Sequence, residues 1–119
     1  MARILFLGMD SPKHSGLRFA LQSLGHSLVI SESIVLSSVD VAFCNLDIPE
    51  YRVILRSLKS LRPALPVVAV TLQPGDRKML DALESGASDY CCAPFEAAQL
   101  ASLLAGLGIP GVLTHKTAA

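Results

Sequence analysis

The feature that most constrains the fold is a regular alternation of short apolar runs with segments of helical periodicity. Runs rich in aliphatic residues predict strands at residues 3–8, 27–31, 39–45, 65–71 and 88–95. Apolar residues at helical spacing predict helices near residues 17–24, 49–63, 75–86 and 96–108. Because strands that alternate with helices form parallel βαβ units, we expect one parallel α/β sheet covered by helices on both faces.

One connection is too short for this pattern. Only seven residues, 32–38, separate the second predicted strand from the third. A crossover between parallel strands normally needs a dozen residues or more. We therefore expect the second helix to be shortened or absent.

Composition limits the domain count and the classes of partner. The chain has 119 residues, of which 51% are hydrophobic and 17% are charged, enough apolar surface for one core. Residues 1–108 form the expected domain and 109–119 a short, flexible tail. Ten basic residues balance ten acidic ones, so we expect neither a nucleic-acid nor a membrane partner. The three cysteines lack metal-ligand spacing and are expected to be buried thiols in the cytoplasm.

Ligands of open α/β sheets bind beyond the carboxyl ends of the strands. Four groups of residues follow strands here and are candidates for a site. They are Gly8-Met9-Asp10, Asn45-Leu46-Asp47, Thr71 and Ala93-Pro94.

These stretches resemble the receiver domain of two-component response regulators over roughly residues 2–107. The matching segments are "ILFLGMD", "NLDIP", "PVVAVT" and "ALESGASDYCCAPF". The resemblance implies a flavodoxin-like (βα)5 sheet of strand order 2-1-3-4-5 and a place in phosphorelay signalling. It also implies switch residues at Thr71 and Tyr90.

The register of the resemblance places unusual residues at the positions that carry the family's chemistry. The acidic pair falls on Gly8 and Met9, the phosphoacceptor aspartate on Asn45, and the lysine on Ala93. A neutral amide is a poor nucleophile, and neither glycine nor a thioether suits Mg²⁺. We therefore expect a degenerate receiver that is not an enzyme, has no cofactor or metal site, and has lost Mg²⁺ binding or retains it weakly.

Two nearby carboxylates leave an alternative open. Asp10 and Asp47 are candidate residual acidic ligands, which would make the chain a residual phosphoacceptor or a metal- or anion-binding receiver. Asp10 is expected to set up a turn or to cap the first helix. Asp47 is expected to cap the loop before Pro49 or to face water.

The last predicted helix and the tail after it carry no charged residue from Ala97 to His115 if histidine is neutral. A low-charge surface beside Tyr90 favours association, with a signalling protein or a second copy as the partner. The predicted interaction face consists of Tyr90, Leu100, Leu103, Leu104 and Leu107. Alternatively, the tail folds back over it.

The expected function is therefore a phosphorylation-independent adaptor of the receiver family. A chain that is part of a longer regulator would fit the sequence as well. His14 is expected in an exposed loop, and the basic stripe of Arg52, Arg56 and Lys59 on a solvated helix face.

Overall fold

A computed structural model describes residues 2–9, 11–31, 39–73 and 75–109. The strands are β1 (Arg3–Leu7), β2 (Ser27–Ser31), β3 (Val41–Asn45), β4 (Val67–Thr71) and β5 (Asp89–Cys92). The α-helices are α1 (Ser15–Ser23), α2 (Tyr51–Leu61), α3 (Asp76–Glu84) and α4 (Ala97–Gly106), and one 3₁₀ turn covers Pro12–His14.

The strands form one sheet of order β2-β1-β3-β4-β5. All four neighbouring pairs are parallel. The predicted flavodoxin-like topology is therefore confirmed. The link at residues 32–38 and the tail at 110–119 lie outside the described residues.

The sheet separates two apolar layers because successive strand residues point to opposite faces. One layer packs Phe6 and Phe43 against α1 and α4. The other packs Leu5 and Cys44 against α2 and α3. β3 and β4 are buried along their whole length, as expected of central parallel strands.

Two expectations about which side chains are buried are wrong. His14 is 3% exposed, because the 3₁₀ turn directs it into the fold. Of the three cysteines only Cys44 is fully buried, whereas Cys91 and Cys92 on the outer strand β5 are half-buried. Within the described ranges, no helix is both long and apolar enough to cross a bilayer.

Candidate functional site

The fold brings the ends of β1, β3 and β4 together at one edge of the sheet. Leu7 pairs with Cys44, and Asn45 pairs with Val70. Gly8, Asn45 and Thr71, which directly follow or end these strands, therefore lie at a common edge. The sequence correctly placed them there because parallel strands share their carboxyl side.

The side-chain amide of Asn45 is hydrogen-bonded to the backbone through both its nitrogen and its oxygen. Its Nδ2 donates to the carbonyl of Gly8 at 2.8 Å, and its Oδ1 accepts from the amide of Asp47 at 2.8 Å. The residue is only 5% exposed. These partners require a side chain that donates on one side and accepts on the other, which an amide does and a carboxylate does not.

Gly8 has a backbone that disfavours an acidic side chain. Its φ is +73°, in the left-handed region where glycine is favoured. A Cβ at this position would lie 2.9 Å from Cδ1 of Ile48. A side chain at position 8 would therefore require the terminal methyl group of Ile48 to shift.

Met9 is a core residue rather than a member of the edge. It is 1% exposed and belongs to the apolar layer beneath α1 and α4. Its carbonyl accepts from Nη1 of Arg18 at 2.9 Å, and Arg18 also donates to the carbonyl of Ser11. The candidate ligand Asp10 lies outside the described residues.

Asp47 is exposed, as one of the two expectations held, but its carboxylate does not cap the loop before Pro49. Its Oδ1 accepts from the hydroxyl of Thr71 at 2.8 Å, and its Oδ2 accepts from the amide of Leu72 at 2.8 Å. Nζ of Lys78 lies 3.5 Å from Oδ1. The loop after β3 turns this carboxylate toward β4 because the amide of Asp47 is held by Asn45.

These donors determine the charge state of Asp47. Burial by itself raises the pKa of the carboxyl group, but the bonds from Leu72 and Thr71 and the charge of Lys78 outweigh it. The pKa of Asp47 is therefore below its usual value, and the group is a carboxylate at neutral pH. Its lone pairs are already committed to donors, which opposes a role as nucleophile.

Lys78 was missed by the sequence interpretation, which considered only Ala93 as the position of a lysine. Ala93 instead uses its backbone, donating to the carbonyl of Thr71 at 3.2 Å, and its bond to Pro94 is cis. The available signal was the place of Lys78 in the first turn of a helix that begins at the same edge of the sheet.

The hydroxyl of Thr71 has local partners as well as Asp47. It lies 2.9 Å from the carbonyl of Gln73 and accepts from the amide of Gln73 at 3.1 Å. Because a hydroxyl has one hydrogen, it donates either to Gln73 or to Asp47, and the charged acceptor is favoured. Thr71 is 1% exposed, whereas Asp47 at the other end of this hydrogen bond is open to solvent.

The predicted interaction face needs correction. Leu100 is 2% exposed and Leu104 is 0% exposed, so both are core residues. Leu103 and Leu107 are half-buried against the same layer. α4 packs its leucines onto the apolar layer of the sheet, and sequence periodicity alone did not distinguish the buried leucines from the outer ones.

Large apolar side chains are exposed at six of the described positions, and three of these positions lie on α3 and β5. Leu80 is 59% exposed, Leu83 is 37% exposed and Tyr90 is 40% exposed. Together with Asp76 and Met79 they line a concavity of about 270 Å³. We call Leu80, Leu83 and Tyr90 the α3–β5 surface.

The basic stripe is partly a contact between helices. Asp81 of α3 accepts from the hydroxyl of Tyr51 and from Nε of Arg52, both on α2. Below this bridge the two helices border a groove of about 880 Å³. Arg52 is thus not simply solvated, because it ties α2 to α3.

The described residues at the edge supply few side-chain oxygen ligands for a metal ion. No three His, Cys, Asp or Glu side chains in the described ranges are grouped to hold a metal. Gly8 has no side chain, and the oxygen of Asn45 is already bonded. Burial raises the pKa of the Cys91 thiol to about 12, which keeps it protonated at neutral pH.

Comparisons with known proteins identify the fold. A receiver domain protein from Clostridium thermocellum is 21% identical with a TM-score of 0.76, and the alignment covers 100% of both chains. A CheY-like receiver domain protein from Methanospirillum hungatei JF-1 is 19% identical with a TM-score of 0.73, covering 91% of this chain and 94% of that one. A two-component response regulator from Clostridium difficile is 20% identical with a TM-score of 0.74, covering 90% and 95%.

No protein-family model and no curated protein matches the sequence. The likeness to the three solved structures shows that the chain has the fold of response-regulator receiver domains.

Proposed function

We propose that this chain is a pseudo-receiver, a non-enzymatic signalling module that binds a protein partner without being phosphorylated on an aspartate. Its fold is that of receiver domains. The proposal rests on this fold, on the amide that stands at the acceptor position, and on an exposed apolar surface. A cytoplasmic location fits the three free thiols.

The observation that carries the proposal is the pair of hydrogen bonds between the Asn45 side chain and the backbone. Its amide joins the end of β1 to the loop after β3 through Gly8 and Asp47. A group held this way is neutral, buried and unavailable to attack a phosphoryl donor. Position 45 therefore serves as a structural tie.

Magnesium is not expected to assist at this edge. A metal-assisted phosphoryl transfer needs several oxygen ligands around the ion. Gly8 offers no side-chain oxygen and cannot gain one without displacing Ile48. The carboxylate of Asp47 is already held by Leu72 and Lys78.

The α3–β5 surface is the proposed binding surface. Its three side chains are exposed although they are large and apolar, which is typical of an association site. The adjoining helix α4 carries no charged residue from Ala97 to Gly106. A signalling protein or a second copy of the chain is the proposed partner.

Phosphorylation is tested by intact-mass measurement after incubation with acetyl phosphate and Mg²⁺. We expect an unchanged mass in the wild-type protein. A phosphorylated species that disappears in Asp47→Ala would contradict the proposal and would favour the residual-acceptor alternative.

Binding is tested by affinity capture and by sedimentation across a concentration series. Leu80→Glu and Tyr90→Ala should abolish the captured partner or the self-association. Phe19→Glu is the matched control, because Phe19 is an exposed apolar residue, at 74%, on α1, which covers the other face of the sheet. Equal loss in all three variants, or loss in none, would contradict a role for this surface.

A further inference from the structure

The carboxylate of Asp47 gathers donors from one continuous segment of the neighbouring β–α unit. Thr71 ends β4, Leu72 follows it, and Lys78 lies in the first turn of α3. The contacts are 2.8 Å to the Thr71 hydroxyl, 2.8 Å to the Leu72 amide and 3.5 Å to the Lys78 ammonium. A hydroxyl, a backbone N–H and an ammonium that converge in this way form an oxyanion site, and the side chain of Asp47 fills it.

The donor set is preorganised independently of its occupant. The Thr71 hydroxyl is fixed by the amide of Gln73, and the residue is 1% exposed. The amide of Leu72 points at Asp47 because the chain turns directly after β4. Removing the carboxylate would leave a buried hydroxyl and an exposed cation around a space of carboxylate size.

Few apolar contacts hold α3 in place. Only Met79 and Ala82 of this helix are buried, whereas Leu80 and Leu83 face solvent. Two polar contacts add to this attachment. One is the bridge from Asp81 to α2, and the other is Asp47.

We propose that Asp47 is the permanent internal ligand of an oxyanion site formed by Thr71, Leu72 and Lys78, and that its occupancy fixes the β4–α3 segment. With Asp47 removed, the same site accepts a small free oxyanion such as acetate or inorganic phosphate. The position of α3 then depends on that ion. The consequence for the α3–β5 surface rests on the proposed function, but the site itself does not.

The first test is amide hydrogen exchange of Asp47→Gly compared with wild type. Exchange at Leu72, Gln73 and the first two turns of α3 should accelerate about tenfold, which corresponds to ~1.4 kcal/mol in the opening equilibrium. Amides of β1 should be unaffected. Unchanged exchange in the β4–α3 segment would overturn the proposal.

The second test is chemical rescue of Asp47→Gly with sodium acetate or inorganic phosphate at ionic strength matched with sodium chloride. Either ion should restore protection saturably and shift the Leu72 amide resonance, while the wild type should not respond. An equal response of wild type, or none in the variant, would show that no oxyanion site exists there. A response to acetate alone would limit the site to carboxylates and still support it.

Two further variants separate the site from general destabilisation. Asp40→Gly is the matched control, because Asp40 accepts a backbone bond from Arg3 at 2.8 Å at the opposite edge of the sheet. It should lose stability without gaining a response to acetate. Asp47→Gly combined with Lys78→Met should be rescued at least tenfold less tightly, and equal rescue would remove Lys78 from the site.

The outcomes also distinguish this inference from the proposed function. If Asp47→Gly does not fold without added ions, the ion dependence of its thermal midpoint replaces the exchange measurement, and an ion-independent midpoint contradicts the site. Failure of partner binding with intact rescue would reject the proposed function and keep the oxyanion site. Intact partner binding without rescue would reject the oxyanion site and keep the proposed function.

Discussion

Replacing the amide at position 45 by a carboxyl group, Asn45→Asp, should destabilise the fold and should not recreate an acceptor. The substitution preserves size and keeps the acceptor for the amide of Asp47. It replaces the donor to Gly8 by an oxygen, so that a charged oxygen would face a carbonyl oxygen at 2.8 Å. The site is 5% exposed, so water cannot readily screen the repulsion.

The magnitude follows from the two groups left without a favourable partner. A buried carbonyl that loses its donor costs ~1–3 kcal/mol, and a buried, unpaired charge adds to that. We expect a loss of about 3 kcal/mol in the free energy of unfolding. For 119 residues, this corresponds to a fall of about 12 °C in Tm.

Urea unfolding at several pH values measures this effect. A protonated carboxyl at position 45 can donate to Gly8, so the fold raises that group's pKa. The difference from wild type should therefore be smallest below about pH 4 and should grow as the pH rises. Asn45→Ala is the control, because it removes both bonds without adding charge and should show no such pH dependence. A stability at pH 7 within about 0.5 kcal/mol of wild type would refute the proposed role of the amide.

Three other sets of substitutions test separate parts of the structure, each by its urea midpoint. Gly8→Ala should cost ~1–2 kcal/mol for its positive φ alone, and Ile48→Ala in the same chain should relieve the added crowding at 2.9 Å. His26 is 4% exposed and burial lowers its pKa, so its contribution to stability is present above about pH 6.5 and is lost as the pH falls below it. His26→Asn should flatten this dependence, and an unchanged slope would contradict it. Leu104→Ala should cost ~2–5 kcal/mol and Leu80→Ala less than about 0.5 kcal/mol, whereas similar costs would contradict the assignment of buried and exposed faces.

The strand and helix pattern was predictable because it depends on local periodicity. β2 was predicted at its observed bounds, Ser27–Ser31. The helix predicted over residues 49–63 is shorter, Tyr51–Leu61, because the flanking prolines lie in the loops and not in the helix. Element ends depend on loop contacts that no periodicity encodes.

The site was predictable in its position but not in its bonds. The strand pattern placed Gly8, Asn45 and Thr71 at one edge, and the structure does the same. It gave no indication that Asp47 would bond across to β4, or that Lys78 would approach it. These residues are 24 and 31 positions from Asp47, so their meeting depends on how two β–α units pack.

By itself, therefore, the sequence determined the parallel α/β fold and the chemical identity of the residues at its carboxyl edge, because apolar periodicity and residue type are local properties. Only the tertiary structure decided what those residues do. It joined the amide of Asn45 to Gly8, seated Asp47 among Thr71, Leu72 and Lys78, and buried Leu100 while exposing Leu80. The hydrogen-bond partners and the burial of a side chain depend on segments that are distant in sequence. These segments meet only when the helices pack on the sheet.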